Sequence, residues 1–185
     1  AEVPGPVVGK LVPKIRQTAR ILYIIYIAIT LIEVVFLLIG KMPLYDSLVH
    51  AFGTAGTGGF GIKNDSIASY NSYLQWVLTI FMLLFGVNFN LYYFILIKKA
   101  KVALKSTELW FYLGIVAFST ICISANIFPI YETLGTSIKH AAFQVAAFVT
   151  TTGYGTATVN DWPIFSKTLL FLLMFVPMQN QLVML

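Results

Sequence analysis

The sequence predicts an all-α integral membrane fold built from two tandem span–half-helix–span repeats, and three observations carry that prediction. The first is composition. Of 185 residues, 58% are hydrophobic and 10% charged, whereas soluble domains are charged at roughly a quarter of their positions. The second is a pattern of long apolar runs, each pair separated by a shorter one. The third is a duplicated motif: Thr57-Gly58-Gly59-Phe60-Gly61 returns 94 residues later as Thr151-Thr152-Gly153-Tyr154-Gly155.

The elements follow in order. Residues 1–20 mix proline, glycine and basic side chains and read as a cytoplasmic lead-in. Ile21 to Ile39 is long enough, at about 1.5 Å per residue, to cross a hydrocarbon core. Leu44 to Gly56 would reach only about 20 Å as a helix, the length of a re-entrant half-helix. Asp46 and Ser47 stand near its start, where side-chain oxygens cap amides and an acid suits the dipole. The polar stretch Ile62 to Ser72 is a return loop, and Tyr73 to Ile97 a second span. This closes the first repeat, residues 21–105. The second, residues 106–185, copies it with a span from Leu109 to about Ile127 and a half-helix from Leu134 to Val149. A return over Thr156–Asp161, the anchor Trp162-Pro163 and a last apolar segment from Ile164 complete it. At the offset of 94, Leu78/Leu172 and Phe81/Phe175 also match. Repeats at so long a period are duplicated membrane units.

Charge sets the orientation. Lys10, Lys14, Arg16 and Arg20 precede the first span, and Lys98, Lys99, Lys101 and Lys105 follow the second. Both clusters belong to the cytoplasm under the positive-inside rule, which places the N-terminus inside. Lys41, Lys63, Lys139 and Lys167 are balanced outside by Asp46, Asp65, Glu132 and Asp161. The net charge of +5 is thus topogenic and does not point to nucleic acid, although the Lys98–Lys105 run could also meet anionic lipid or a cytosolic subunit. Cys122 is alone and reads as a small buried residue. A signal peptide is not expected, because residues 1–20 lack a suitable apolar core.

The duplicated motif carries the chemistry. A dehydrated cation must replace its water shell with oxygens, and converging backbone strands can supply rings of carbonyls. Glycine tolerates the backbone conformations that turn successive carbonyls to one side. A half-helix ending at such a strand aims about half a negative charge at the ion. The site residues are therefore Thr57, Gly58, Gly59 and Phe60 in one strand and Thr151, Thr152, Gly153 and Tyr154 in the other, with a potassium-channel-like pore as the fold they imply. Phe60 and Tyr154 are expected to pack outward and brace the strands, and Thr152 to offer a hydroxyl that Gly58 lacks. Against this stands the bland reading that the glycines only permit close helix packing.

Other polar residues have ordinary roles available. Glu33 lies in the outer half of the first span, where a carboxylate is costly unless paired. His50 and His140 lack a partner at metal-ligand spacing and read as hydrogen-bonding side chains. Asn88, Asn90, Ser124 and Asn126 suit bonds between spans. No nucleophile–base pair, metal-ligand spacing or phosphate loop is present, so an enzyme is not expected.

Leu44–Gly61, Ala141–Thr156 and Gly86-Val87-Asn88-Phe89-Asn90 resemble the Trk/Ktr/HKT potassium transporters, over residues 15–176 and over the second and third of that family's four repeats. The resemblance implies that Gly59 and Gly153 are filter glycines, that K⁺ is the transported ion, and that no cofactor is held. It also implies a homodimer of pore subunits with a cytosolic nucleotide-binding ring, in a bacterial inner membrane. Two of the four repeats are missing, so a partial chain is expected. Family members break the second span of the third repeat with a gate loop. That place here reads Val176-Pro177-Met178-Gln179-Asn180-Gln181, without glycine, and Pro177, Gln179 and Asn180 are the gate candidates. The rival readings are a tandem-pore potassium channel acting as a dimer and a membrane scaffold or intramembrane enzyme without transport.

Overall fold

The computed structural model describes residues 8–175; the gate candidates Pro177, Gln179 and Asn180 lie outside them. Among the described residues every regular element is helical. The order is α1 (Val8–Ile39), α2 (Leu44–Ala55), α3 (Ser72–Gly86), α4 (Phe89–Leu96), α5 (Ala100–Leu104), α6 (Thr107–Tyr131), α7 (Leu134–Val149) and α8 (Ile164–Leu173). The stretch Thr18–Ile39 of α1 and the whole of α6 are long and apolar enough to cross a membrane. Helix α1 starts at Val8, well inside the expected lead-in, and runs on through Pro13. The half-helices α2 and α7 fall where the sequence places them, at 12 and 16 residues.

One expected span is broken. The run 73–97 was expected to be continuous, but α3 and α4 meet at 87°. Gly86 ends α3, Val87 is extended, and the Asn88 side chain accepts from the Asn90 amide to start α4 afresh. A broken helix at membrane depth must find partners for the backbone groups it frees. Here Tyr92 donates its hydroxyl to the Leu84 carbonyl at 2.7 Å, and Tyr112 of α6 donates to that of Leu83 at 3.2 Å. Asn88 also donates to the Glu108 carboxylate at 3.3 Å, so the expected bond between spans exists at the elbow. The bond expected of Asn126 joins α6 to α8, through the Ser166 hydroxyl at 2.7 Å.

Two apolar clusters hold the molecule together. One gathers Leu37, Ala51, Leu78, Phe81 and Met82 of the first repeat, but Phe143, Ala146, Ala147 and Tyr154 of the second belong to it as well. The other, around Ile123, Ile127, Val145, Val149 and Leu170, is confined to the second repeat. Between helices in lipid the gain comes from close side-chain packing and not from removal of water, and the shared cluster fastens one repeat to the other by such packing. Outward faces of the spans stay apolar: Phe111 is 69% exposed and Ile121 67%, as lipid-facing positions should be.

Candidate filter

Each half-helix runs straight into its glycine motif through a closely matched turn, in which the acceptors correspond and the second donor is shifted by one residue. After α2, the Thr57 amide bonds the Thr54 carbonyl and the Gly58 amide bonds that of Gly53 at 2.7 Å. After α7, the Thr151 amide bonds Phe148 and the Gly153 amide bonds Ala147 at 3.2 Å. Thr57 and Thr151 are both left-handed, at φ 49° and 55°, and so are Gly59 and Gly153, at 65° and 85°. Gly58 and Thr152 between them are not. Alternation of this kind is the backbone pattern that would bring successive carbonyls to one side of a strand, the arrangement a carbonyl-lined ion path needs. A threonine in this region costs about 1–2 kcal/mol, and the same cost at the same place in both copies marks the conformation as built in.

The two strands converge. A Cβ placed on Gly59 would run into the carbonyl oxygen of Thr152 and lie 3.1 Å from the Gly153 carbonyl carbon. Only glycine admits that approach, and its φ alone would already disfavour any other residue. A Cβ on Gly153 meets nothing within 4 Å, so conformation rather than space selects glycine there. The carbonyl ends of α2 and α7 carry no basic side chain in their last turns, leaving their partial negative charge for a cation.

The aromatic of each motif behaves differently. Tyr154 is 1% exposed and reaches across into the first repeat, where its hydroxyl donates to the His50 carbonyl at 3.2 Å. Its seat is Gly53, whose missing side chain makes room for that hydroxyl. The next residue adds two bonds across the same join: the Ile67 amide donates to the Gly155 carbonyl at 3.0 Å, and the Gly155 amide to the Ser66 hydroxyl at 3.2 Å. Bracing is thus as expected for Tyr154. Phe60 is 79% exposed and braces nothing among the described residues, because its side of the first strand has no neighbouring repeat there.

The threonine hydroxyls need a correction too. Thr150 donates to the Ala146 carbonyl at 2.7 Å, which leaves its oxygen as acceptor for the Thr152 hydroxyl, also at 2.7 Å. Thr152 is buried, so its hydroxyl is occupied in the scaffold. At the start of α2, Pro43 takes the cap position and no side chain caps the helix. Asp46 instead accepts from the Tyr70 hydroxyl at 2.9 Å, and Ser47 donates weakly to Met42 at 3.4 Å. Proline fixes the entry angle without needing an amide partner, which frees Asp46 to tie down the return loop.

His50 and His140 act as structural partners. The His50 Nδ1 lies 2.7 Å from the Asp46 carbonyl. His140 lies 3.0 Å from the Thr156 hydroxyl and stacks on Tyr131 at 4.9 Å. Among the described residues no group of three or more His, Cys, Asp or Glu is placed to hold a metal. The sequence reading missed Gly53, Ser66 and the His50 carbonyl. Gly53 stood in plain view in a small-residue run, but nothing local tells that an aromatic 101 positions away fills it.

Spans interleaved with half-helices, each half-helix delivering a glycine strand to a shared point, define a membrane transport protein of the re-entrant-helix class. The sequence profile of the TrkH family, described as a cation transport protein, matches residues 2–179, and the chain belongs to that family, which is one of transporters and not of enzymes. It is 32% identical over 181 residues to the Trk system potassium uptake protein TrkH of Salmonella typhimurium, covering 95% of this chain and 38% of that protein. To the Trk system potassium uptake protein TrkG of Escherichia coli it is 33% identical over 179 residues, covering 94% and 36%. The crystal structure of the potassium transporter TrkH from Vibrio parahaemolyticus superposes with a TM-score of 0.80 at 24% identity, over 87% of this chain and 36% of that one. The chain therefore spans little more than a third of the length of these relatives.

Proposed function

We propose that this chain is the second and third repeats of the pore subunit of a Trk-type potassium uptake system, and that Thr57–Phe60 and Thr151–Tyr154 are two of its four filter strands. The observation that carries the proposal is the matched left-handed pattern of Thr57 and Gly59 with Thr151 and Gly153, in strands that meet at Gly59. K⁺ sheds water at the outer mouth and is received by backbone carbonyls held at fixed positions, so that little reorganisation follows entry. The half-helix ends of α2 and α7 lower the energy of the cation there. Two strands leave half a ring, and the uncovered Phe60 ring marks the side on which an adjoining repeat would close it. The relatives' length and the resemblance support a longer subunit that pairs as a homodimer under a cytosolic nucleotide-binding ring. The resemblance supports a bacterial inner membrane with lipid around the spans, and the basic residues that precede the first span and follow the second support the N-terminal side of this chain lying inside.

The test uses the full-length subunit in a host that depends on it for K⁺. Serine at Gly59 or Gly153 is expected to raise the KM for K⁺ and lower the K⁺/Na⁺ ratio by tenfold or more, which corresponds to about 1.4 kcal/mol. Unchanged KM and ratio in both variants sink the filter assignment. Flux lost altogether with normal membrane amounts would point to a blocked pore and keeps it.

A further inference from the structure

Glu33 on α1 is fully buried, and both its carboxyl oxygens lack a hydrogen-bond partner. Its neighbours Tyr26, Thr54 and Tyr154 are uncharged hydroxyl-bearing side chains. A leucine would fill such a place at no polar cost, so the carboxyl is retained against a penalty. What it faces explains why. The carboxyl lies against the Thr54 hydroxyl on α2, and the Tyr154 phenol, from the other repeat, lies against that same hydroxyl. Thr54 has turned its hydrogen to the His50 carbonyl at 2.8 Å, and Tyr154 gives its hydrogen to the same oxygen at 3.2 Å. The Thr54 oxygen is left with acceptor capacity and no hydrogen to offer. The carboxyl stands beside that oxygen without a bond of hydrogen-bonding geometry to it; a carboxylic acid at position 33 carries the donor that would complete one, as would a carboxamide, and an alkyl group would not.

We propose that Glu33 is a positioning residue for the second filter strand, holding Thr54 from behind and, through Thr54 and the His50 carbonyl, the ring of Tyr154. Because Tyr154 follows Gly153 directly, the setting of that ring fixes where the Thr152 and Gly153 carbonyls stand against Gly59. A residue of the first repeat's outer span thereby tunes carbonyls contributed by the second repeat. This inference rests on the filter reading above.

Glu33→Leu, Glu33→Gln, Thr54→Val, Tyr154→Phe and Gly153→Ser, each in the full-length subunit, test it by K⁺/Na⁺ uptake ratio alongside membrane abundance. Glu33→Gln is expected to keep the ratio within about twofold, and Glu33→Leu to lower it about tenfold, a hydrogen bond's worth at a desolvated site. Adding Tyr154→Phe to Glu33→Leu should lower it little further, since both act on one connection. If Glu33→Leu does not accumulate, Thr54→Val keeps the side-chain shape, removes the relay oxygen and should lower the ratio equally. A wild-type ratio in Glu33→Leu and Thr54→Val beside a changed one in Gly153→Ser overturns the relay and leaves the filter standing. Equal loss in Glu33→Gln and Glu33→Leu also overturns it. An unchanged ratio in Gly153→Ser strikes the filter reading itself.

Discussion

Replacing Gly53 with alanine should weaken the join between the repeats, and Tyr154→Phe should partly restore it. A methyl at position 53 collides with the Tyr154 hydroxyl and comes within 3.3 Å of the ring carbon that bears it. Overpacking of this kind costs about 1–3 kcal/mol, and the backbone of α2 cannot retreat, because the Gly58 amide is bonded to the Gly53 carbonyl at 2.7 Å. Tyr154→Phe alone forfeits one hydrogen bond, but the His50 carbonyl keeps the Thr54 hydroxyl at 2.8 Å. That single change should therefore cost no more than about 1 kcal/mol. In the double variant the atom struck hardest is gone and only the tight ring carbon remains. About half of the overpacking cost should return, a coupling of about 1 kcal/mol within the range seen for touching residues. Thermal midpoints of the purified full-length protein in detergent, taken for the four members of the cycle, measure it. Additivity to within about 0.5 kcal/mol would refute the seat, and with it the claim that Gly53 is glycine on account of Tyr154.

Other consequences are equally open to measurement. Alanine at Gly59 should be more damaging than alanine at Gly153: both bear the left-handed penalty of about 1–2 kcal/mol, but only Gly59 also meets a backbone oxygen. Equal midpoints would show that the strands do not touch. At the elbow, Tyr112→Phe strips the hydroxyl from the Leu83 carbonyl and should cost about 1–3 kcal/mol, read as a lowered melting temperature; no change would mean that water satisfies the break. Tyr70 in the return loop has its phenol pushed from 10.0 up to about 12 by burial, by its bond to Asp46 and by the charges of Asp46 and Asp65. A folded-state value raised above the unfolded one stabilises the fold below about pH 10, and that contribution declines as pH climbs from about 10 to about 12. Tyr70→Phe should accordingly flatten the alkaline limb of the stability curve, and an identical limb would argue against the Asp46 contact.

Much of this architecture was legible because its signals are local or periodic. Apolar length located α1 and α6, the short runs located α2 and α7, and the recurrence of Thr57–Gly61 pointed to the two matching glycine strands before any contact was known. What escaped was decided by partners distant in sequence. An unbroken apolar run over 73–97 has nothing in its hydropathy to betray an 87° elbow; the Gly86-Val87-Asn88 signal is weak until Tyr92 and Tyr112 are seen to donate to the carbonyls at the break. Gly53 looked like a packing glycine and serves a ring from the other repeat. Phe60 and Tyr154 are equivalent by register but not by surroundings, because only one has a repeat beside it. Thr152 seemed to offer a hydroxyl, and whether that hydroxyl faced an ion or Thr150 depended on a rotamer that no spacing specifies.

The contacts between the repeats also bear on the order of assembly. The Tyr154–His50 and Gly155–Ser66 bonds close loops of 104 and 89 residues, so α2 and its return loop wait for the second glycine strand before reaching their final form. At a synthesis rate of about 5–20 residues per second, that wait lasts on the order of several seconds while the first repeat already sits in the bilayer. During that interval Gly53 is an open notch and Ser66 an uncommitted hydroxyl. Assembly of this protein is thus a non-local step of the kind that slows folding. Sequence changes far downstream of the first strand can therefore stall maturation without touching any residue near an ion.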